Sequence, residues 1–268
     1  MVKKLFLFLL LSGAFCLAGK ETAGIQGRVW IIRHGQRDTV KAPDYDPALT
    51  PAGRRQAELA AAYLKKMKFS GRICASPYRR TLETASIIAK ALDRQVYITP
   101  FLQEFVRFPG VHPVRERSLA ALKKEFPFLA DQPELPRNWA IRNKETLEDV
   151  RIRLHAGLQQ LSLVHDSEVL LVTHGAVLKA AHMLATGRSG TGKWEKMNWN
   201  CCISAYDFSS PAPPRIRLFF EVGFLPEELV TSNERYLLKK KKSGCIAGTG
   251  RSHGEKMKGF VPCMGRQR

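Results

Sequence analysis

The chain has 268 residues, 44% of them hydrophobic, enough apolar material for one large domain or one and a half ordinary ones. Lys and Arg number 43 against 24 Asp and Glu, a formal charge of +19 that favours anionic partners: phosphorylated compounds, nucleic acid or an acidic membrane surface. The six cysteines show no paired metal-ligand spacing, and beyond the N-terminus no apolar stretch reaches membrane-spanning length. A cysteine-bound metal centre and a multi-span membrane protein are therefore excluded.

The chain starts as an export signal. Lys3 and Lys4 precede an apolar run from Leu5 to Phe15, and Cys16-Leu17-Ala18 supplies small residues before a cleavage point after Ala18. An uncleaved membrane anchor and acylation of Cys16 stay open as alternatives. Next, Arg28-Val29-Trp30-Ile31-Ile32 is a short apolar strand that runs into Arg33-His34-Gly35. Residues 36–50 are polar and rich in Pro and Asp, a loop. Thr50-Pro51 opens a helix, with a capping side chain and Pro at the first position; Ala52, Gln56, Leu59, Tyr63 and Met67 keep helical spacing.

Arg72 to Ala75 is a second strand, broken by Ser76-Pro77. The helix that follows carries Leu82, Ala85, Ile88, Ala89 and Leu92 on one face, and Gln95 to Ile98 is a third strand. Residues 100–143 are irregular, with a helix expected near Glu116 to Glu125, the form of a segment inserted over a site. Phe105, Arg107, Phe108, His112 and Arg115 are its candidates to line a pocket.

Thr146-Leu147-Glu148-Asp149 reads as a variant capping box before a helix through Leu147, Val150, Leu154, Leu158 and Leu161. Glu168 to Val172 is the cleanest strand and ends in Thr173-His174-Gly175. A further helix runs to about Gly187, and Cys201 to Phe208 and Arg215 to Val222 close the domain as strands. Strands alternating with helices predict an α/β fold with a largely parallel sheet. From Lys239 the chain loses periodicity. Residues 239–268 hold nine Lys/Arg and one acid, a solvated tail whose weak attraction to anionic surfaces stays open.

Two apolar strands thus end in His-Gly, and ligands of parallel α/β sheets bind beyond the carboxyl ends of the strands. His34 and His174 can converge there although 140 residues apart. Arg33 and Arg37 flank the first histidine, and Arg80 starts the helix after the second strand. Guanidinium forks pair with phosphate oxygens, and helix N-termini add partial positive charge. A neutral imidazole beside arginines is a fair nucleophile, and those arginines would neutralise phosphate with no metal or cofactor.

The segments Ile31 to Arg37, Leu49 to Ala57, Ser76 to Ala85 and Val172 to Gly175 together resemble the histidine phosphatase superfamily, the phosphoglycerate-mutase-like proteins. The resemblance covers about residues 28 to 208. It implies a three-layer α/β/α sandwich with a mostly parallel central sheet, within a domain from 27 to 225. It further implies that His34 is the nucleophile, that Arg33, Arg80 and His174 bind the phosphoryl oxygens, and that Arg37 joins them as in some phosphatase members. Glu104 would be the acid that protonates the leaving oxygen. Mutases of the family carry a Trp-Glu-Gly-type segment after that acid; here Phe105-Val106-Arg107-Phe108 follows instead, which favours hydrolysis. The expected activity is an exported, periplasmic or secreted phosphomonoesterase resembling a histidine acid phosphatase. It would act on a phosphorylated small molecule or phosphopeptide and require no nucleic acid. A weakly active phosphate- or phosphoprotein-binding member and a mutase-type phosphotransferase are the alternatives. Oligomeric state is silent in the sequence.

Overall fold

Six strands form one sheet in the order β3-β2-β4-β1-β5-β6. The strands are β1 (Arg28–Arg33), β2 (Arg72–Ala75), β3 (Val96–Ile98), β4 (Glu168–Thr173), β5 (Ile203–Asp207) and β6 (Arg215–Glu221). The first four in space run parallel, and β5 and β6 complete the sheet antiparallel. The computed structural model describes residues 22, 24–38, 46–105, 117–135, 140–141, 143–162, 167–188, 199–209 and 214–231. The proposed signal, the basic tail, and Arg107, Phe108, His112 and Arg115 lie outside these. The described residues all fall within one compact unit, Met1–Glu234.

The strands are short and, apart from the partly exposed edge strand β6, buried on both faces, so their side chains sort by alternation. Trp30, Ile32, Ile73, Ala75, Leu170 and Val172 enter one core. Their neighbours Val29, Ile31, Cys74, Val169 and Leu171 enter the other. The first core is covered by helices α1 (Pro51–Lys66), α2 (Arg79–Leu92) and α3 (Leu119–Glu125). The second is covered by α4 (Leu147–Ser162) and α5 (Gly175–Thr186). The result is the three-layer α/β/α sandwich expected of the sequence. Cys74 is a core residue, fully buried.

The local signals act as read. Thr50 caps α1 by accepting from the Gly53 amide, with Pro51 at the first position. Thr146 and Asp149 exchange reciprocal bonds at the start of α4. The helix expected near 116–125 starts later, at Leu119, because Ser118 caps it by accepting from the Ala121 amide. The strand expected from Cys201 starts at Ile203, since Cys201 sits at φ +54° in a turn.

Candidate active site

Sheet register brings the two histidines together. In the β1–β4 ladder Arg33 lies opposite Thr173, so the next residues, His34 and His174, leave the sheet side by side. The His34 amide donates to the Thr173 carbonyl at 2.9 Å, and the two rings stand 5.3 Å apart between centroids. In the β2–β4 ladder Ala75 pairs with Val172, which sets Ser76 beside His174. The Ser76 amide bonds the Val172 carbonyl at 3.1 Å.

The loop after β1 tolerates only glycine at its closest approach. A Cβ on Gly35 would stand 2.5 Å from the Gly53 carbonyl oxygen, and one on Gly53 would stand 2.1 Å from that of Gln36. The N-terminus of α1 therefore presses on the His34 loop. The Gly35 amide also donates to Thr84 Oγ1 of α2 at 3.1 Å. A buried polar chain secures the other side: Asn200 Nδ2 donates to the His34 carbonyl at 3.2 Å, and Thr231 Oγ1 donates to Asn200 Oδ1 at 3.0 Å. Gln56 Nε2 then donates to Thr231 Oγ1 at 2.9 Å.

Ring partners fix the tautomers. His34 Nδ1 lies 2.7 Å from the Gly35 carbonyl, which can only accept, so Nδ1 carries the proton and Nε2 keeps its lone pair. His174 Nδ1 lies 3.1 Å from Arg80 Nη2, which can only donate. Its Nε2–H therefore faces Ser76 Oγ at 2.9 Å. Both imidazoles are held well below the usual histidine value, first by burial and then by the Arg80 charge, with Arg33 adding to the effect at both. Burial outranks the arginine repulsion that the sequence suggests.

Arg80 is the hub. It is 4% exposed, stacks over Tyr78 at 4.4 Å and approaches Asp46 Oδ1 at 3.5 Å through Nη1. Its buried Nε has no hydrogen-bond partner among the described residues. Burial lowers its pKa to about 10, opposed by Asp46, so it stays charged at neutral pH. Its neighbour Arg79 points away, to Glu83 and Glu125. Arg33 is lowered by burial, with the Glu104 charge among those opposing it. Arg37 sits exposed on the rim, and its charge reaches His34, Arg33 and Arg80. Glu104 Oε1 accepts from the Phe105 amide at 3.1 Å and the Ala176 amide at 3.3 Å, at the N-terminus of α5. Its charge acts on Arg33, Arg80 and Tyr78.

Asp46 is a site residue that the sequence reading passed over. Burial raises its carboxyl to about 6 although Arg80 and the Arg79 amide oppose the rise. Only an Asp-rich loop signalled it. Ser76 and Tyr78 were likewise missed as site residues, although both lie in the Ser76 to Ala85 segment that carries the resemblance.

These buried groups make stability depend on pH. Unfolded histidine takes up its proton near 6.5. Burial holds folded His34, His174 and, on α5, His182 below that value, His182 at about 4, so stability present above pH 6.5 is lost as pH falls below it. Asp46 works oppositely: raised to about 6 in the fold, it adds stability as pH falls from 6 towards the unfolded value. Three histidines lowered in the fold, His34, His174 and His182, outweigh the one raised aspartate, so stability should fall as pH drops from about 6 towards 4. In an Asp46→Asn variant the fall should be steeper, because the opposing aspartate is gone. Urea unfolding across this range checks both, and a wild-type stability that is flat or rises on acidification would refute the assignment.

The model of the histidine phosphatase superfamily (branch 1) matches residues 29–219. A Hydrogenobacter thermophilus protein named for phosphoserine phosphatase activity is 29% identical over 174 residues, covering 62% of this chain and 82% of that protein. A Proteus mirabilis protein named for phosphoglycerate mutase activity is 28% identical over 189 residues, covering 68% and 86%. The chain spans only 56% of the length of a bifunctional Mycobacterium tuberculosis protein, to which it is 26% identical over 217 residues and 75% of its own length. The solved ecdysone phosphate phosphatase of Bombix mori shares the fold, with TM-score 0.54 and 17% identity over 74% of this chain and 97% of that one.

Proposed function

The chain belongs to the histidine phosphatase superfamily, and within it we propose that this protein is a phosphomonoesterase working through a phosphohistidine on His34. The observation that carries the reading is the tautomer of His34. Its Nδ1–H is held by the Gly35 carbonyl, which leaves Nε2 as an uncharged nucleophile between Arg33 and Arg80.

In the first half-reaction His34 Nε2 attacks phosphorus and the bond to the ester oxygen breaks. Glu104, protonated, gives its proton to that oxygen. In the second half, Glu104 as carboxylate takes a proton from water, which attacks the phosphohistidine and returns His34 and inorganic phosphate. Arg33, Arg80 and, from the rim, Arg37 compensate the charge on the phosphoryl oxygens as the transition state forms. Both ring nitrogens of His174 are engaged, by Arg80 and by Ser76. It therefore orients Arg80 first, and donates to a phosphoryl oxygen by exchanging its bond to Ser76.

The substrate class is a phosphorylated small molecule or phosphopeptide, and the place of action is outside the cytoplasm, as the N-terminal signal suggests. The test is hydrolysis of p-nitrophenyl phosphate in excess chelator, with release of inorganic phosphate followed directly. Turnover of monoesters with water as acceptor is expected. Transfer between positions of a phosphoglycerate without release of phosphate would favour the mutase reading, and phosphate binding without turnover the binding-module reading.

A further inference from the structure

The segment that carries Glu104 is fastened with more care than a surface loop needs. Three consecutive carbonyls before it, those of Phe101, Leu102 and Gln103, are each tied to a side chain from another element. Arg153 of α4 donates Nη1 to the Phe101 carbonyl, and Nη2 to the Gln103 carbonyl at 2.8 Å. Thr173, the residue before His174, donates Oγ1 to the Leu102 carbonyl at 2.6 Å. Arg153 is itself fixed by Glu145, with Nε to Oε1 at 2.7 Å and Nη2 to Oε2 at 3.2 Å. Both side chains are largely buried, at 16% and 9% exposure. One turn further along α4, Gly157 leaves room for the Phe101 ring, which would lie 2.4 Å from a Cβ at that position.

We infer that Arg153, held by Glu145, is a positioning residue that sets the Glu104 carboxyl for proton transfer to the leaving group. The inference rests on reading Glu104 as the general acid. The chemistry of the clamp selects arginine. Two carbonyls and a carboxylate must be met at once by one planar fork, which a lysine ammonium cannot span. A general acid works only within hydrogen-bond reach of the oxygen it protonates, so a small shift of this segment is felt at that step. Arg153 needs no contact with the substrate to matter.

The test compares leaving groups. An ester of a weakly basic alcohol, p-nitrophenyl phosphate, scarcely needs the acid; an alkyl ester such as glycerol phosphate does. Because kcat/KM reports the first half-reaction, the ratio between the two esters isolates protonation from water attack. Arg153→Met is expected to lower kcat/KM for the alkyl ester about 100-fold and for p-nitrophenyl phosphate about threefold or less, following the usual worth of general acid catalysis. Arg153→Lys should not restore it. Glu104→Gln should show the same selective loss, and the double variant should be no slower on the alkyl ester than Glu104→Gln alone. Equal loss on both esters, or additive losses in the double variant, would overturn the positioning role. If Glu104→Gln itself spares the alkyl ester, the acid assignment fails instead. Should Arg153→Met not fold, Glu145→Gln releases the other side of the clamp and is expected to shift the same ratio about tenfold; an unshifted ratio there overturns the inference equally.

Discussion

Replacing His34 by alanine is expected to lower turnover of p-nitrophenyl phosphate by at least about four orders of magnitude while leaving phosphate affinity within about tenfold. Among the described residues no other group is placed to inherit the attack. The imidazole of His174 stands 5.3 Å away between centroids, but Arg80 and Ser76 occupy both its nitrogens. Cys201 and Cys202 adjoin the Arg33–His34 backbone, yet burial drives the Cys202 thiol up to about 12 and the Cys201 thiol higher still, so neither offers a thiolate. Phosphate affinity survives because Arg33 and Arg80 are untouched. Acid-labile, base-stable label from radioactive substrate should be trapped on the wild type and absent from the variant. Residual turnover above about one per cent of wild type would remove His34 from the nucleophile's role.

Much of this site was legible because sheet geometry turns a local pattern into a spatial one. Two apolar runs, each ending in His-Gly, predict two strands, and parallel neighbours in register deliver their C-terminal residues to one edge. The β1–β4 ladder does this by setting Arg33 against Thr173. Helix phase separates Arg80 from its neighbour Arg79: consecutive residues of α2 point about 100° apart, one onto His174 and one onto Glu83. What was not legible acts across the fold. Asp46 matters only because α2 brings Arg80 to it. Arg153 meets carbonyls about fifty residues earlier in the chain, and its position on α4 is one that helical periodicity marks only as polar. The Asn200–Thr231–Gln56 chain that steadies His34 passes through Thr231, beyond the matched residues 29–219. No propensity or spacing encodes such contacts, since each is decided by tertiary packing between elements.

Arg80→Met should cost about a thousandfold in kcat/KM, the scale of losing a preorganised charge aimed at the transition state. Its effect on stability should separate from that loss. Arg80 is buried between Asp46 at 3.5 Å and the Tyr78 face at 4.4 Å, so its removal takes the strongest cation from a largely buried carboxylate and leaves it only the weaker charges of Arg117 and Arg79. Breaking such a pair costs about 3–5 kcal/mol when the remaining charge stays ionised. Asp46 has an escape, because burial already holds its carboxyl near 6 and losing Arg80 pushes it higher. A folded carboxyl raised above its unfolded value is stabilised by protons, so the variant's deficit should be greatest near pH 8 and shrink towards pH 5. Adding Asp46→Asn should recover most of the stability at pH 8 and none of the activity, since the amide repairs the burial but supplies no positive charge. Arg80→Lys should fall between: the charge near Asp46 is kept, while the fork that serves His174 and the phosphoryl group together is lost. Thermal melts at the two pH values, run beside kcat/KM for the same four proteins, decide the matter. A deficit independent of pH would remove Asp46 as Arg80's counter-charge, and activity regained in the Arg80→Met, Asp46→Asn double variant would remove Arg80 from phosphoryl binding.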